Sequence, residues 1–427
     1  MSQFLASGPL SSLAALAGLP EEMAVRLPQG QQLGAVDAPV KLLLSRWSSI
    51  ARLKAGQIGA LAEEYVEGKL QFEGSMRDVM GVMLKLLPGS PLQSDTRWWS
   101  RLMTRAHSAS THTRAQDSAQ IQFHYDVSDA FYGLWLDPRR VYSCAYYRES
   151  GMTLAQAQEA KLEHICRKLM LRPGERFLDI GAGWGALLLW AAEHHGVEAT
   201  GITLSENQHQ HVRQRIADKG LEGRVRIELR DYRDLPETQP FDKISSVGMF
   251  EHVGQANMDA YFDKIMHLLA PGGLVLNHGI TAGDLQHRQI GAGMGDFIEK
   301  YIFPGGELMH VSAVLGHLAN SGLEMVDTEN LRPHYGRTLW DWSDALEAHL
   351  DEARQALAAG SPPERAEKIL RAYRLYLAGS AMSFEQGWIA LHQVLATRPA
   401  ASFRDESIRG AKSAYPFNRE FMYPACD

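Results

Sequence analysis

From Thr153 onward the apolar positions follow two alternating rhythms. Thr153 with Gln156 forms a capping box. Leu162, Ile165, Cys166 and Leu169 then recur on one helical face. Beyond them, runs that read as strands alternate with runs that read as helices. Arg176–Gly181, Val197–Thr203, Val225–Arg230, Asp242–Gly248 and Gly273–Gly279 are the predicted strands. Ala186–His194, Gln208–Lys219 and Met258–Leu269 are the predicted helices between them. Strands separated by helices imply βαβ units and a mainly parallel sheet with helices on both faces.

The first part of the chain has a different pattern. Ile58, Leu61, Ala62 and Tyr65 fall at helical spacing, and so do Met76, Val79, Met80, Met83 and Leu84. Between them Gly68–Gly74 alternates like a short strand. This part is therefore expected to be mostly helical. Its methionines read as core filler or as a lipid-contacting surface. The polar stretch Ser108–Asp117 reads as a linker, which divides the chain into a domain at 1–115 and a second at 116–427.

Composition narrows the class. With 45% hydrophobic and 22% charged residues in 427, the chain is globular rather than disordered. Its longest apolar stretch, Gly185–Ala192, is too short to span a bilayer. The net charge of −7 argues against a nucleic-acid partner. That charge is uneven: residues 1–115 carry 12 Lys/Arg against 9 Asp/Glu. Three cysteines without a C-x-x-C pair indicate neither a disulfide framework nor a structural metal. No signal peptide is legible at the N-terminus, so a cytoplasmic protein is expected.

The candidate chemistry lies at the carboxyl ends of the predicted strands, where open α/β sheets bind ligands. Phe177–Gly185 is a glycine-rich turn between a strand and a helix, and it contains Asp179, Gly181, Ala182 and Gly183. An acid at that strand end suits a ligand with an ammonium group, which points to S-adenosylmethionine rather than a dinucleotide. The plainer alternative is a tight turn in another Rossmann-like fold. Thr203, Leu204 and Gln208 follow the second strand, at the position that reads ribose hydroxyls. Asp231 and Tyr232 follow the third, facing an adenine edge and face. Val247 opens the segment after the fourth, where substrate meets cofactor.

These motifs occur in the order found in a known family. With His124–Asp129, Trp135–Tyr147, Lys300–Gly306 and His334–Leu339, the chain resembles the cyclopropane-fatty-acyl-phospholipid synthases and the mycolic acid cyclopropane synthases. The resemblance covers about residues 120 to 395, and Tyr65–Leu70 extends it to the N-terminal domain of the phospholipid enzymes. It implies a class I methyltransferase fold. It also implies methylene transfer from S-adenosylmethionine to the cis double bond of an unsaturated phospholipid acyl chain, through a carbocation. A bound bicarbonate is the family's base, and its implied holders here are Cys144, Glu251, His278, Ile280 and Tyr335. Tyr142 and Ser143 join the implied cofactor site. Tyr142, Phe250 and Tyr335 are aromatic candidates for facing the cation. A peripheral position on the inner membrane face is implied, and a homodimer is compatible with it.

Plainer roles stand beside these. Glu251 could be a helix-start carboxylate, His278 a satisfied core histidine, and Cys144 a small buried hydrophobe like Cys166. The glycine-rich insert Thr281–Gly295 reads as a mobile lid or as an ordinary long loop. The run Arg97–Arg105, with Trp98 and Trp99, reads as a docking segment for anionic lipid or as a helix with core tryptophans. Tyr147 and the segment Phe384–Val394 depart from common family versions, which leaves a methylated or exomethylene product as the alternative outcome. A lipid-binding scaffold with an inactive methyltransferase domain is the reading from another class.

Overall fold

A computed structural model of the chain describes residues 19–87, 89, 91–92, 128–286, 290–303 and 306–399. Two compact units emerge. The smaller comprises Met1–Asp95, Gln289–Pro304 and Trp342–Ser383, and the larger comprises Thr96–Arg288, Gly305–Asp341 and Phe384–Asp427. The division is thus not the contiguous split at residue 115 read from the linker-like composition. Two later segments return to the smaller unit, and composition carries no trace of such a return. The stretch 93–127, with the expected linker and the Arg97–Arg105 run, lies outside the described residues, as do His124–Val127 and Cys426.

The smaller unit contains more strand than the apolar pattern predicts. Strands β1 (Met23–Arg26), β2 (Gln32–Leu33), β3 (Val40–Leu44) and β4 (Leu70–Glu73) form a sheet in the order β2-β1-β3-β4. Only β4 was legible: β2 has two residues, and the sequences of β1 (MAVR) and β3 (VKLLL) do not alternate apolar with polar. The helices Ile58–Val66 and Met76–Leu86 fall where the spacing predicts them. Ser75 caps the second helix by accepting from the Asp78 N–H. Met76, Met80 and Met83 are buried in this unit. Tyr65 stacks on Phe72 at 4.4 Å, and its hydroxyl accepts from Arg374 at 2.6 Å. Arg374 also forks onto Glu347, which fastens the helix Pro363–Glu385 within the unit.

The larger unit is a seven-stranded sheet. Its strands are β5 (Arg176–Ile180), β6 (Glu198–Thr203), β7 (Val225–Leu229), β8 (Phe241–Val247), β9 (Leu269–Ala282), β10 (Glu324–Asn330) and β11 (Ile389–Thr397). The order is β10-β11-β9-β8-β5-β6-β7. Strands β5 to β9 pair in parallel, and β11 runs antiparallel to both its neighbours. Each parallel strand lies within a few residues of its predicted position. The helix Leu154–Lys168 begins with the expected capping box, and Leu162, Ile165, Cys166 and Leu169 are fully buried. Two apolar clusters pack on the sheet, one around Phe177 and Leu188, the other around Ile244 and Phe262.

Candidate active site

The glycine turn after β5 owes its shape to backbone torsions that only glycine adopts at low cost. Gly181 has φ +76° and Gly183 φ +55°. A Cβ on Gly183 would meet no protein atom within 4 Å, so the turn leaves open space beside its backbone. The N–H groups of Gly181 and Ala182 both bond to the Ile202 carbonyl at the end of β6, at 3.1 and 2.9 Å. That pairing holds the turn at the carboxyl edge of the sheet.

All twelve residues assigned to the cofactor line one cavity there: Tyr142, Ser143, Asp179, Gly181, Ala182, Gly183, Thr203, Leu204, Gln208, Asp231, Tyr232 and Val247. Asp179 forms its floor. It is buried and accepts from the Ser245 hydroxyl at 2.6 Å. Burial raises its pKa to about 6, against the opposing pull of the Ser245 bond and the Lys161 charge. Thr203 donates to Gln208 at 2.8 Å, which fixes the far wall. Asp231 accepts from the main-chain N–H and from the guanidinium of Arg233. Tyr142 packs against both Tyr132 and Trp135, which also touch each other.

Motif reading missed several lining residues, Lys161, Arg140, Trp184 and Met249 among them. Lys161 was the most discoverable. It sits four residues after Ala157 and four before Ile165, on the buried face of the helix Leu154–Lys168, where an ordinary lysine would not be. It is buried and donates to the Ser143 hydroxyl at 3.0 Å. Burial brings its pKa down to about 8, while Asp137, Cys144 and Asp179 support its charge. The same ammonium acts on Asp179, Cys144 and His278, so it couples the cofactor floor to the residues assigned to the base.

Those five residues flank the cavity rather than line it. Glu251 lies in the short helical turn Phe250–His252 after β8. Its Oε1 accepts from the Ile280 N–H at 2.7 Å, while its buried Oε2 has no partner among the described residues. Burial raises its pKa to about 7, only partly opposed by that N–H. His278 stands on β9 beside Val247 of β8, fully buried. Burial lowers its pKa well below the usual range, and Lys161, Lys168 and His164 lower it further. Its Nδ1 faces Gln393 at 3.2 Å, and its Nε2 has no partner among the described residues. Ile280 therefore serves Glu251 through its backbone, a role that no side-chain pattern carries.

Cys144 and Tyr335 arrive from elsewhere in the sequence. Cys144 is fully buried, with its thiol 3.9 Å from the Leu331 carbonyl. Burial pushes that thiol up, so it is held as a neutral SH. Its neighbour Ala145 donates to Thr338 on the helix Arg332–Ala348. Tyr335 is buried near the start of that helix, with its ring against Phe384 at 4.7 Å. The Leu331 N–H bonds to Leu391 of β11, and Leu391 pairs with Ile280 of β9, so this corner is fastened to the same strands as Glu251.

Gly279 governs the spacing. A Cβ there would lie 2.0 Å from Cε1 of Phe250 and 3.0 Å from Oε1 of Glu251. The insert after β9 is ordered around residues 290–303: helix Met294–Tyr301 belongs to the smaller unit, where Ala292 accepts from the Gly59 N–H and Gly291 donates to Pro91. Residues 287–289 lie outside the described residues. Among the described residues no cluster of three or more His, Cys, Asp or Glu could hold a metal, and no helix is long and apolar enough to cross a membrane.

Sheet order, glycine turn and strand-end cavity together define a class I S-adenosylmethionine-dependent methyltransferase. A family model described as mycolic acid cyclopropane synthetase matches residues 112–394. The chain belongs to that family. It is 42% identical over 410 residues to a probable fatty acid methyltransferase of Pseudomonas putida, covering 96% of this chain and 98% of that one. Cyclopropane mycolic acid synthase 1 of Mycobacterium tuberculosis is 39% identical over 285 residues, 64% of this chain and 95% of its own. Among solved structures, mycolic acid cyclopropane synthase CmaA1 complexed with SAH and CTAB matches with a TM-score of 0.60 at 36% identity, covering 66% of this chain and 98% of that one.

Proposed function

We propose that the protein transfers a methylene from S-adenosylmethionine to the cis double bond of an unsaturated phospholipid acyl chain and closes a cyclopropane. The observation that carries this reading is the pair of buried, unpartnered polar atoms beside the cofactor cavity, Oε2 of Glu251 and Nε2 of His278. Methyl transfer to an alkene carbon leaves a carbocation that must lose a proton, so this reading needs a base, and two such buried polar atoms can hold one. Bicarbonate fits there: it offers acceptors to a histidine N–H and to a carboxyl that is half protonated near pH 7. When bound, bicarbonate would supply the base that removes the proton.

The chain's own residues do the rest. Asp179 presents a carboxylate to the ammonium of the methyl donor, and the glycine turn admits its backbone. Glu251 and His278 would hold the anion, with Cys144 and Tyr335 beside it and Ile280 keeping Glu251 in place. The apolar surroundings of Phe250 and Tyr335 exclude water, which would otherwise trap the cation.

A second cavity supports a lipid substrate. It lies inside the smaller unit, walled by Leu61, Ala62, Met80, Met83, Phe297 and Gly379 among others, and it contains no ionisable group apart from the Tyr65 phenol. Such a cavity suits an acyl chain, whose burial gains about 0.8 kcal/mol per methylene. Peripheral contact with a membrane would bring that chain within reach.

A C-methyltransferase giving a methyl-alkene or exomethylene product is the second reading. The relative from Pseudomonas putida, named a probable fatty acid methyltransferase, favours it. Incubation with S-adenosylmethionine and vesicles of mixed unsaturated phospholipid separates the two. Upfield cyclopropane proton signals in the extracted lipid are expected; new vinylic methyl or methylene signals in their place would select the second reading. Bicarbonate-depleted buffer should slow turnover, with recovery on adding it back. Undiminished turnover would assign proton removal to a side chain.

A further inference from the structure

Gln393 on β11 is fully buried, and its Cα is paired with His278 on β9 and with Glu329 on β10. Residues directly opposite across a sheet project from the same face, so the three side chains form a row. The amide Nε2 of Gln393 stands 3.2 Å from Nδ1 of His278. We propose that Gln393 is a positioning residue: its amide donates to Nδ1, holds His278 as the Nε2–H tautomer, and so presents a neutral N–H to the anion site.

The argument is one of hydrogen-bond inventory. An amide nitrogen only donates, so Nδ1 must accept. A neutral imidazole carries one ring proton, which then sits on Nε2. Nε2 is buried and has no partner among the described residues. Neutrality follows from burial and from Lys161, Lys168 and His164, opposed by Glu329 alone, and Glu329 is engaged by Lys168 at 2.6 Å and His164 at 2.7 Å. Cost supports a role too. The amide oxygen of Gln393 is buried with no partner among the described residues, whereas the neighbouring buried positions Leu391, Val394 and Leu395 are aliphatic. A leucine would fill this strand position without burying a half-satisfied amide. The residue is thus better explained by the bond it makes to His278 than by packing.

This inference rests on the reading of His278 as a holder of the anion, but its test does not depend on that reading. Two-bond proton–nitrogen NMR on the full chain labelled with nitrogen-15 histidine reports the tautomer directly, with His278→Asn assigning the signal. The wild type is expected to show the Nε2–H form. In Gln393→Glu a carboxylate would instead accept from Nδ1, so the ring should become Nδ1–H or doubly protonated. Gln393→Met, similar in shape and without a donor, should lose the tautomer preference. It should also lower kcat about 10- to 100-fold, with S-adenosylhomocysteine affinity unchanged. An Nδ1–H wild type would overturn the proposal, since the amide would then be accepting. Full turnover with an intact Nε2–H signal in Gln393→Met would overturn it as well. If turnover ignores bicarbonate while the tautomer responds as described, the base assignment falls and the role of Gln393 stands.

Discussion

At the scale of single residues, the site depends on groups held away from their ordinary protonation. Glu251 is the clearest case. Its pKa is about 7 in the fold against 4.5 when unfolded, so the native state binds the proton more tightly. Its contribution is fully present below about pH 4.5 and is lost as pH rises through about 7. Glu251→Gln keeps the neutral shape and cannot ionise. Relative to wild type it should gain up to about 3 kcal/mol between pH 4.5 and 8, from 1.36 kcal/mol per unit. Urea unfolding of the ligand-free protein at the two pH values measures this. Turnover should be lost in the same variant, and a variant with full turnover would remove Glu251 from the chemistry. Gly183 gives a second residue-scale test. Gly183→Val directs a branched side chain into the cavity from a backbone with φ +55°. Gly220→Val imposes similar strain at φ +63°, also with nothing within 4 Å of the new Cβ, but outside the cavity. Calorimetric titration with S-adenosylhomocysteine should lose its signal in the first variant and keep it in the second.

At the scale of elements, the turn Phe250–His252 is seated on β9 through a glycine. Gly279→Ala would force Phe250 and Glu251 to move, because the new methyl falls inside their present positions. Overpacking of this kind costs about 1–3 kcal/mol, which the larger unit can absorb while it remains folded. The expected result is a large fall in kcat with little change in S-adenosylhomocysteine affinity, since the glycine turn belongs to β5. Equal losses of both would mean that the two strand ends are not independent. Much of this level was legible in advance. Capping at Thr153 and the rhythm of β5 to β9 rest on local spacing. The segment that becomes β11 departs from common family versions, and neither it nor β10 is among the predicted strands. Their places in the sheet depend on partners more than 60 residues away.

At the scale of the whole molecule, each unit carries a cavity of its own kind: the one at the strand ends is lined by charged side chains such as Asp179, Lys161 and Asp231, whereas the one inside the smaller unit is walled almost wholly by apolar groups. Gly379 lines the apolar one, and a Cβ there would meet nothing within 4 Å. Gly379→Leu should therefore fill space that the proposed acyl chain needs. It also replaces a glycine inside the helix Pro363–Glu385, which favours folding by about 1 kcal/mol. The expected signature is a raised melting temperature, unchanged S-adenosylhomocysteine affinity and a much higher KM for phospholipid vesicles. An unaltered KM would separate this cavity from the lipid.

By itself the sequence determined the alternating strands and helices, the glycine turn and the acid before it. Each of those is written in residues close together in the chain, where steric and hydrogen-bonding preferences act directly. The assignment of Cys144, Glu251, His278, Ile280 and Tyr335 came by resemblance, because nothing local distinguishes Ile280 from any other strand isoleucine. Tertiary structure alone decided that the Ile280 backbone N–H serves Glu251, that Lys161 is buried against Ser143, and that Gln393 faces His278. It also decided that residues 289–304 and 342–383 complete the smaller unit. These are contacts between residues 18 to 309 positions apart. Their energy comes from burial and pairing in three dimensions, and no spacing along the chain encodes it.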